Sequence, residues 1–453
     1  MPLSKAATIM SSQSRPPQRA QFQHIGPIQG TITVPGDKSI SHRAIMLAAL
    51  AVGESRISGL LEGEDVLATA AAMRAMGSHI ERDDDGDWRV YGVGVGALLQ
   101  PVQALDMGNS GTSTRLLMGL IASHAIRATF IGDASLSVRP MGRVIEPLSQ
   151  MGADIHATEG RLPLMIGGMV PAIPISYRLP VASAQVKSAI MLAALNTPGI
   201  CEIIEPVPTR DHSERMLAGF GADVTVERVG GARHIRVAGE AQLRPQTLTV
   251  PGDPSSAAFF AVAASIIPGS MVTIRNVGMN PTRSGIFKLL RAMGGAIVEE
   301  NARSVGGETV ADLVVRHAPL CAVEPDPADA PSMIDEFPVA FIAAALAQGR
   351  SVFRGLDELR VKESDRISAM AAALKAMGAV VEELPDGIAI TGSGGEKLPG
   401  GGDILGLLDH RICMATAIGG LMCRAPVTID DMAPVATSFP AFSQLLGQLL
   451  GDS

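Results

Sequence analysis

One repeated phrase constrains the fold of this chain more than any other feature. Five times, a helix-like stretch ends in Met-Gly or Phe-Gly and is followed by residues that alternate between apolar and polar. A glycine just past the last turn is typical of a helix C-cap, because glycine adopts the left-handed conformation without strain. The alternation that follows is typical of a half-buried strand. The five glycines are Gly77, Gly152, Gly221, Gly294 and Gly378, and a truncated sixth copy, "FSQLLGQLLGDS", closes the chain.

A second phrase fills the intervals between copies of the first. It consists of an alanine-rich apolar stretch followed by a β-branched stretch, and it occurs six times, at residues 41–59, 113–132, 185–204, 256–277, 338–356 and 411–430. Stretches that are apolar on all sides predict buried helices. Together the two phrases predict six helix–strand–helix–strand units. A chain of 453 residues is too long for one core, so three units on each side of about residue 250 predict two similar domains.

Composition narrows the class of protein and its location. The net charge of −8 argues against a general nucleic-acid surface, and no apolar run reaches the length of a membrane span. The four cysteines form no CxxC pair and have no histidine at ligand spacing, which argues against a disulfide scaffold or a zinc site and favours a reducing cytoplasm. We interpret residues 1–23 as a disordered N-terminal extension rather than a transit peptide, because they offer little apolar face.

The segment "VPGD" occurs twice, at residues 34–37 and 250–253. The first copy continues into Lys38, Ser39, His42 and Arg43, whereas the second continues into "PSSA", which carries no charge. Both copies predict a strand end, a turn and a helix cap. We therefore expect the second copy to be scaffold only, placed where the chain crosses between the domains.

Charged and hydrogen-bonding residues recur at the other predicted helix starts. They are Arg115, Arg139, Arg143, Ser183, Gln185, Lys187, Arg210, Asp335, Glu336, Lys362, Glu363, Arg366, Asp409, His410 and Arg411. Helix N-termini and arginine guanidinium groups both favour anions, so these starts predict one cleft that binds a substrate with several anionic groups. Alternatives remain open for single residues. Glu363 and Arg366 could form a surface i,i+3 pair, Asp335 could be an N-cap, and His410 could be structural.

Eight motifs, taken in order, carry a resemblance to a known family. They are "PGDKSISHR", "GNSGTSTR", "RPMGR", "ASAQVKSA", "TRDH", "PSMIDEFP", "LRVKESDR" and "LDHR". In this order they resemble the 5-enolpyruvylshikimate-3-phosphate synthase family, and the motif sequences are most similar to those of its bacterial class II branch. The similarity spans about residues 27–445. It implies an α/β protein, a two-domain inside-out barrel of six βαβαββ repeats, with residues 24–36 plus 251–453 as domain I and 37–250 as domain II.

The resemblance also implies a reaction and a set of site residues. The enolpyruvyl group of phosphoenolpyruvate would move to the 5-hydroxyl of shikimate 3-phosphate, with release of phosphate and without a metal or organic cofactor. Lys38, Asp335 and Glu363 would be catalytic. The shikimate 3-phosphate ligands would be Lys38, Ser39, Arg43, Ser183, Ala184, Gln185, Arg210, Asp335 and Lys362. The phosphoenolpyruvate ligands would be Lys38, Gly111, Thr112, Arg139, Gln185, Arg366 and Arg411. No nucleic-acid or membrane partner is implied, and we expect a cytoplasmic monomer.

Two positions matter for the phosphoenolpyruvate pocket. Many family members carry a lysine where "ATSFP" has Thr437, so one phosphate contact is missing or is supplied by Lys362 or Arg366. Gly111 is the common form of its position, and we expect glyphosate, an inhibitor of much of the family, to fit beside it.

Two other functions are alternatives to this one. The first is UDP-N-acetylglucosamine enolpyruvyl transfer, whose family usually carries a cysteine where this chain has Ala134. The second is a non-catalytic repeat scaffold, which the presence of both Asp335 and Glu363 disfavours.

Overall fold

The computed structural model describes residues 17–24 and 26–451. Within these residues the α-helices are α1 (Lys38–Leu50), α2 (Glu64–Ala75), α3 (Gly111–Ala122), α4 (Ala134–Ser137), α5 (Gly142–Gln150), α6 (Ala184–Ala194), α7 (His212–Gly219), α8 (Pro254–Ile266), α9 (Gly285–Ala292), α10 (Phe337–Leu346), α11 (Arg366–Ala376), α12 (His410–Gly420) and α13 (Phe442–Leu450). Short 3-10 helices span Pro327–Ser332, Asp357–Val361 and Ala433–Thr437.

The strands of the described residues occur singly or in consecutive groups before and between the helices. They are β1 (Ala20–Phe22), β2 (Gln29–Thr33), β3 (Gly53–Ser58), β4 (His79–Arg82), β5 (Trp88–Gly92), β6 (Leu105–Asp106), β7 (Arg127–Ile131), β8 (Asp154–Thr158), β9 (Arg161–Gly167), β10 (Ser176–Arg178), β11 (Ile200–Glu205), β12 (Val224–Val229), β13 (Ala232–Ala238), β14 (Thr247–Thr249), β15 (Met271–Gly278), β16 (Ala296–Val305), β17 (Glu308–Arg316), β18 (Arg350–Phe353), β19 (Val380–Leu384), β20 (Gly387–Thr391), β21 (Leu398–Gly400), β22 (Asp403–Ile404), β23 (Cys423–Ala425) and β24 (Val427–Ile429).

The five glycines of the first repeated phrase end helices, as predicted. Their φ angles lie between +87° and +105°, which is the left-handed region that glycine adopts most easily. Each terminates one of the helices α2, α5, α7, α9 and α11, and each is followed by one of the strands β4, β8, β12, β16 and β19. Gly451 closes α13 in the same way, with a φ of +84°.

The second repeated phrase forms the buried helices α1, α3, α6, α8, α10 and α12, each followed by a strand. These helices have no polar face, so they pack on one another at the centre of each half, with the sheets outside them. This arrangement of helices inside and strands outside agrees with the predicted mixed α/β fold. The buried apolar residues form two separate clusters, one drawn from residues 40–250 and the other from 28–34 together with 257–449.

The sheets repeat one strand order. In the half formed by residues 37–250 the orders are β14-β3-β5-β4, β6-β7-β9-β8 and β10-β11-β13-β12. In each of them the first pair is parallel and the other pairs are antiparallel. The other half contains the equivalent β2-β15-β17-β16, the shorter β18-β20-β19, and a third group divided between β21-β23 and β1-β24-β22.

The first strand of each half comes from a distant part of the chain. Strand β2 pairs with β15, and β14 pairs with β3, so the polypeptide crosses between the halves on either side of residues 37–250. The domain boundaries at 36/37 and 250/251 stay a prediction, which these pairings and the divided apolar core support.

The expectation of disorder for residues 1–23 is wrong for the part that the structure describes. Strand β1 pairs antiparallel with β24, and the backbone N of Gln18 donates to Asp431 Oδ1 at 2.8 Å. Without β1, strand β24 would be an open edge of its short sheet. Strand β1 covers that edge and satisfies backbone hydrogen-bonding groups of β24. Residues 1–16 lie outside the described residues. Among the residues described, no helix is both long and apolar enough to cross a membrane.

Candidate active site

A cleft of about 320 Å³ lies between the two halves and is lined by residues from both. Every catalytic and ligand residue that the family resemblance implies lines it. From the half 37–250 these are Lys38, Ser39, Arg43, Gly111, Thr112, Arg139, Ser183, Ala184, Gln185 and Arg210. From the other half they are Asp335, Lys362, Glu363, Arg366 and Arg411. Since the sequence places these residues up to several hundred positions apart, their meeting in one cleft is a property of the fold.

Helix starts bring these residues to the cleft. Helices α1, α3, α6, α11 and α12 all begin there, and each is capped by a side-chain oxygen that accepts from a backbone N–H of the first turn. The five caps are Asp37, Ser110, Ser183, Asp365 and Asp409. The first turn of a helix has backbone N–H groups without an intrahelical acceptor, which favours anionic ligands at these helix starts.

Asp335 is surrounded by four cationic side chains. Arg210 donates to Oδ2, Arg366 Nη1 lies 3.3 Å from Oδ1, and Lys362 Nζ lies 3.6 Å from Oδ1. Arg411 Nη1 donates to the backbone O of Asp335 at 3.0 Å. Burial alone would raise the pKa of this carboxyl, but the four cations together hold it well below the ordinary value. Asp335 is not the N-cap of α10, a position that its neighbour Glu336 occupies.

Glu363 is the second carboxylate of the cleft. Arg366 Nη2 lies 2.5 Å from its Oε2 and Arg139 Nη1 lies 3.3 Å from its Oε1. The i,i+3 pair with Arg366 therefore exists, but it is not a surface pair, because the Arg366 side chain is only 1% exposed. Burial raises the pKa of Glu363, and the stronger opposing effect of Arg366, Arg139, His410 and Lys362 holds it well below its usual range.

Three ion pairs between lining side chains span the cleft from one half to the other. Arg139–Glu363 and Arg210–Asp335 lie in its interior, and Arg143 Nη1 meets Glu358 Oε1 at 2.6 Å near the rim. The cations come from residues 37–250 and the carboxylates from the other half. The attraction within these three pairs draws the two halves together.

Asp65 is a site residue that sequence reasoning missed. Its Oδ2 lies 2.5 Å from Lys38 Nζ, both side chains are largely buried, and Asp65 lines the cleft. Burial raises the pKa of Asp65, although Lys38 opposes the rise. The sequence does contain an acidic pair, Glu64 and Asp65, in the first turn of a predicted helix. Acidic residues are common at that position for another reason, because they interact favourably with the helix dipole.

Arginines and a glutamine form the wall between α3 and α6. Gln185 Oε1 accepts from Arg115 Nη1 at 2.9 Å, and its Nε2 donates to Thr112 Oγ1 at 3.0 Å. Arg43 donates from Nη2 to Ser188 Oγ at 2.7 Å and from Nη1 to the backbone O of Ser39. Burial lowers the pKa of both Arg43 and Arg115 to about 10, which leaves both charged at neutral pH.

The second "VPGD" copy is not bare scaffold, contrary to the expectation. Asp253 lines the cleft and its Oδ1 accepts from Arg283 Nη2 at 2.9 Å. The same Nη2 donates to Asp37 Oδ2 of the first copy at 3.1 Å, and Arg283 Nη1 reaches Glu336 Oε1 at 3.4 Å. Arg283 lies in the loop after β15, so the residues near 250 do not indicate that a cation pairs with Asp253.

Of the other residues at predicted helix starts, Lys187 lies away from the cleft and His410 lines it. Lys187 is fully buried and its Nζ lies 2.9 Å from both Glu205 Oε1 and Glu214 Oε1, behind the cleft wall. His410 does line the cleft, and burial together with Lys38 and Arg411 holds its pKa well below the ordinary value. Thr437 is absent from the lining, whereas Lys362 and Arg366, the predicted substitutes for a lysine there, belong to it.

Comparisons with known proteins show the family to which the chain is similar. The EPSP synthase (3-phosphoshikimate 1-carboxyvinyltransferase) family matches residues 22–446. The 3-phosphoshikimate 1-carboxyvinyltransferase of Sphingopyxis alaskensis is 68% identical, over 97% of this chain and 100% of its own length. The one from Novosphingobium aromaticivorans is 66% identical, over 94% and 98% respectively.

Solved structures give the same result. An EPSP synthase from Acinetobacter baumannii is 45% identical and superposes with a TM-score of 0.84, covering 96% of this chain and 98% of that one. The enolpyruvyl transferase NikO from Streptomyces tendae shares the fold, with a TM-score of 0.75 at 18% identity over 96% and 98% of the two chains.

Proposed function

This chain belongs to the EPSP synthase family and is a carboxyvinyl transferase, and from that premise we propose how its cleft performs the reaction. The enolpyruvyl group of phosphoenolpyruvate is joined to the 5-hydroxyl of shikimate 3-phosphate, and phosphate is released. The observation that carries the proposal is the convergence of cations from both halves around two carboxylates, because both substrates carry several negative charges.

Shikimate 3-phosphate is assigned to the wall formed by the starts of α1 and α6. Ser183 and Ala184 offer the hydroxyl and backbone N–H groups of a helix N-terminus to its phosphate. Arg43, already oriented by Ser188, and Ser39 face the ring side. The remaining ligands are Lys38, Gln185, Arg210, Asp335 and Lys362.

Phosphoenolpyruvate is assigned to the wall formed by α3, α11 and α12. Arg139, Arg366 and Arg411 clamp its carboxylate and phosphate, because a guanidinium presents two parallel donors to such groups. Gly111 lets the ligand approach the backbone closely. A side chain at this position would lie against Arg139 Nη1, a group that is itself assigned to the ligand. The remaining ligands are Lys38, Thr112 and Gln185.

The chemistry requires a base at the attacking hydroxyl and an acid at the methylene carbon C3, with the reverse proton traffic during elimination. We assign Asp335 to the hydroxyl and Glu363 to C3. In the free cleft both carboxyls have pKa values held well below their ordinary range by surrounding cations. Anionic substrates neutralise the same cations, so substrate binding raises both pKa values toward the range in which protons are exchanged. Lys38, the ammonium paired with Asp65, serves as a further proton donor near the leaving oxygen.

The tetrahedral intermediate carries a carboxylate and a phosphate on one carbon. Preorganised arginines stabilise such a species more than they stabilise the separate substrates. The arginines come from both halves, so the full set is assembled only when the halves close, which also expels water.

The test is phosphate release from the purified protein supplied with phosphoenolpyruvate and a second substrate. We expect release with shikimate 3-phosphate and none with UDP-N-acetylglucosamine, and the release should be lost in Asp335→Asn and Glu363→Gln. Release with the UDP-sugar alone would overturn the proposal. A cytoplasmic location and a monomeric state stay predictions, the latter checked by light scattering with and without substrates.

A further inference from the structure

We propose that Glu205 and Thr209 are positioning residues that hold Arg210 in the orientation needed to bind shikimate 3-phosphate. The inference rests on the proposed function, because it deepens the role assigned to Arg210. Thr209 immediately precedes Arg210 in the "TRDH" motif.

The loop that carries Arg210 needs an external support. It runs from the end of β11 at Glu205 to the start of α7 at His212, and it contains Pro206 and Pro208. Proline has no backbone N–H to donate, so these two residues contribute less hydrogen bonding than an ordinary loop segment. An arginine on such a loop loses more freedom on binding a ligand than one held beforehand.

Glu205 supplies that support through Thr209. Its Oε1 accepts from the backbone N of Thr209 at 3.1 Å and from Thr209 Oγ1 at 2.5 Å. Arg233 Nη1 donates to the backbone O of Thr209 at 3.4 Å. The backbone donor, the backbone acceptor and the hydroxyl of Thr209 are therefore all used, which fixes the residue immediately before Arg210.

Glu205 is itself held by a buried and electrically neutral network. Lys187 Nζ lies 2.9 Å from Glu205 Oε1, and Arg233 Nη1 lies 3.0 Å from Glu205 Oε2. Glu214 completes the network by pairing with the same two cations. Glu205 and Lys187 are fully buried, so water does not solvate their charges. The two carboxylates and the two cations of the network neutralise one another instead. Such a network resists displacement and gives the loop a rigid base.

The residue after Arg210 is tied to the opposite half of the protein. Asp211 Oδ1 accepts from Asn280 Nδ2 at 2.7 Å, and His212 Nδ1 lies 2.9 Å from Glu308 Oε1. Arg210 thus lies between an anchor in its own half, at Thr209, and an anchor in the other half. The Arg210 side chain itself spans the cleft to Asp335. Unlike the groups on either side of it, this side chain can exchange its partner for a substrate anion.

The experiment compares Thr209→Val with Thr209→Ser and measures KM for each substrate and kcat by phosphate release. Valine keeps the shape and removes the hydroxyl, whereas serine keeps the hydroxyl. We expect Thr209→Val to raise KM for shikimate 3-phosphate about ten-fold, the effect of losing one hydrogen bond to a charged group, with KM for phosphoenolpyruvate unchanged. Thr209→Ser should restore the native value. The matched control is Thr197→Val, another buried threonine of the same half whose Oγ1 donates only to the backbone O of Ala193.

The same measurements in an Arg210→Ala background separate this inference from the proposed function. If Thr209 acts through Arg210, Thr209→Val has no further effect once Arg210 is gone. An equal effect in both backgrounds would show that Thr209 contacts the substrate directly and would overturn the inference. An unchanged KM in Thr209→Val, with only a lowered melting temperature, would also overturn it. A native KM for shikimate 3-phosphate in Arg210→Ala alone would instead overturn the role assigned to Arg210 in the proposed function.

Discussion

Gly36 and Gly252 face each other in an antiparallel β-bridge, which places the two "VPGD" copies side by side. The backbone N of Asp37 donates to Pro251 O at 2.8 Å, and the backbone N of Asp253 donates to Pro35 O at 2.9 Å. The two crossings between the halves therefore form one paired element. The carboxylates of Asp37 and Asp253, which cap α1 and α8, converge from this element on the single guanidinium of Arg283.

The two aspartates of this pair should have opposite effects on the pH dependence of stability. Burial would raise both pKa values, but Arg283 holds the pKa of Asp37 well below its ordinary value, whereas burial and the charge of Asp37 raise the pKa of Asp253 to about 6. Asp37 therefore stabilises the fold above about pH 4, and this contribution is lost as the pH falls through its depressed pKa. Asp253 favours the folded state below about pH 4 and loses that contribution as the pH rises toward about 6.

Asparagine at either position keeps the helix cap and removes the charge. We expect Asp37→Asn to lower the free energy of unfolding at pH 7 by about 3 kcal/mol, with a smaller deficit below pH 4. Asp253→Asn should gain stability relative to the parent as the pH rises from 4 to 7. Urea unfolding at four pH values measures both, and parallel pH profiles for the two variants would contradict the assignment.

Glu363→Gln should lower kcat for phosphate release by at least about 100-fold, because a carboxamide cannot carry a proton to and from C3. Binding of shikimate 3-phosphate, followed by calorimetry, should change much less, since Glu363 is assigned to the other substrate. The control is Glu382→Gln, an exposed glutamate whose partner is Arg350. A kcat within a factor of a few of the parent's in Glu363→Gln would remove Glu363 from the mechanism.

Gly111→Ala should weaken the binding of both phosphoenolpyruvate and glyphosate. A Cβ at Gly111 would lie 2.7 Å from Arg115 Nη1 and 3.2 Å from Arg139 Nη1, so the guanidinium groups must move. Overpacking of this size costs about 1 kcal/mol, which corresponds to an increase of about five-fold in KM for phosphoenolpyruvate. The inhibition constant of glyphosate should rise as well, and inhibition should be competitive with phosphoenolpyruvate.

Gly219→Ala is the matched control for that substitution, because a Cβ at Gly219 meets nothing within 4 Å. It should leave KM for phosphoenolpyruvate and the inhibition constant unchanged. An inhibition pattern in the parent that is not competitive with phosphoenolpyruvate would mean that glyphosate does not occupy the pocket beside Gly111.

Two arginines that span the cleft should differ widely in importance, because they differ in burial. The Arg139 side chain is 6% exposed, so Arg139→Ala leaves Glu363 short of a buried partner and should reduce kcat/KM for phosphoenolpyruvate at least about 100-fold. Arg143 is 43% exposed at the rim, and its pair with Glu358 is screened by water and salt. Arg143→Ala should change kcat/KM by less than about five-fold. Equal losses in the two variants would be inconsistent with these environments.

The local structure and most of the residues that line the cleft could be predicted from the amino-acid sequence. Glycine C-caps such as Gly77, apolar helices such as α8 and alternating strands such as β4 depend on residues a few positions apart, so their patterns are legible along the chain. Residues such as Lys38 and Arg366 could be found because they stand at helix starts, where an anion site is a property of the backbone itself.

The pairing of particular charges, in contrast, depends on how the chain folds in three dimensions. Arg139 pairs with a carboxylate 224 positions away and Arg283 with one 246 positions away, and many acids in the sequence could have served as either partner. The position of Asp65 beside Lys38 and the support of Thr209 by Glu205 depend on how separate helices and strands pack. Electrostatic interactions act through space and depend on burial, so the pKa values and the division of labour among these groups are set by the assembled fold rather than by the order of residues.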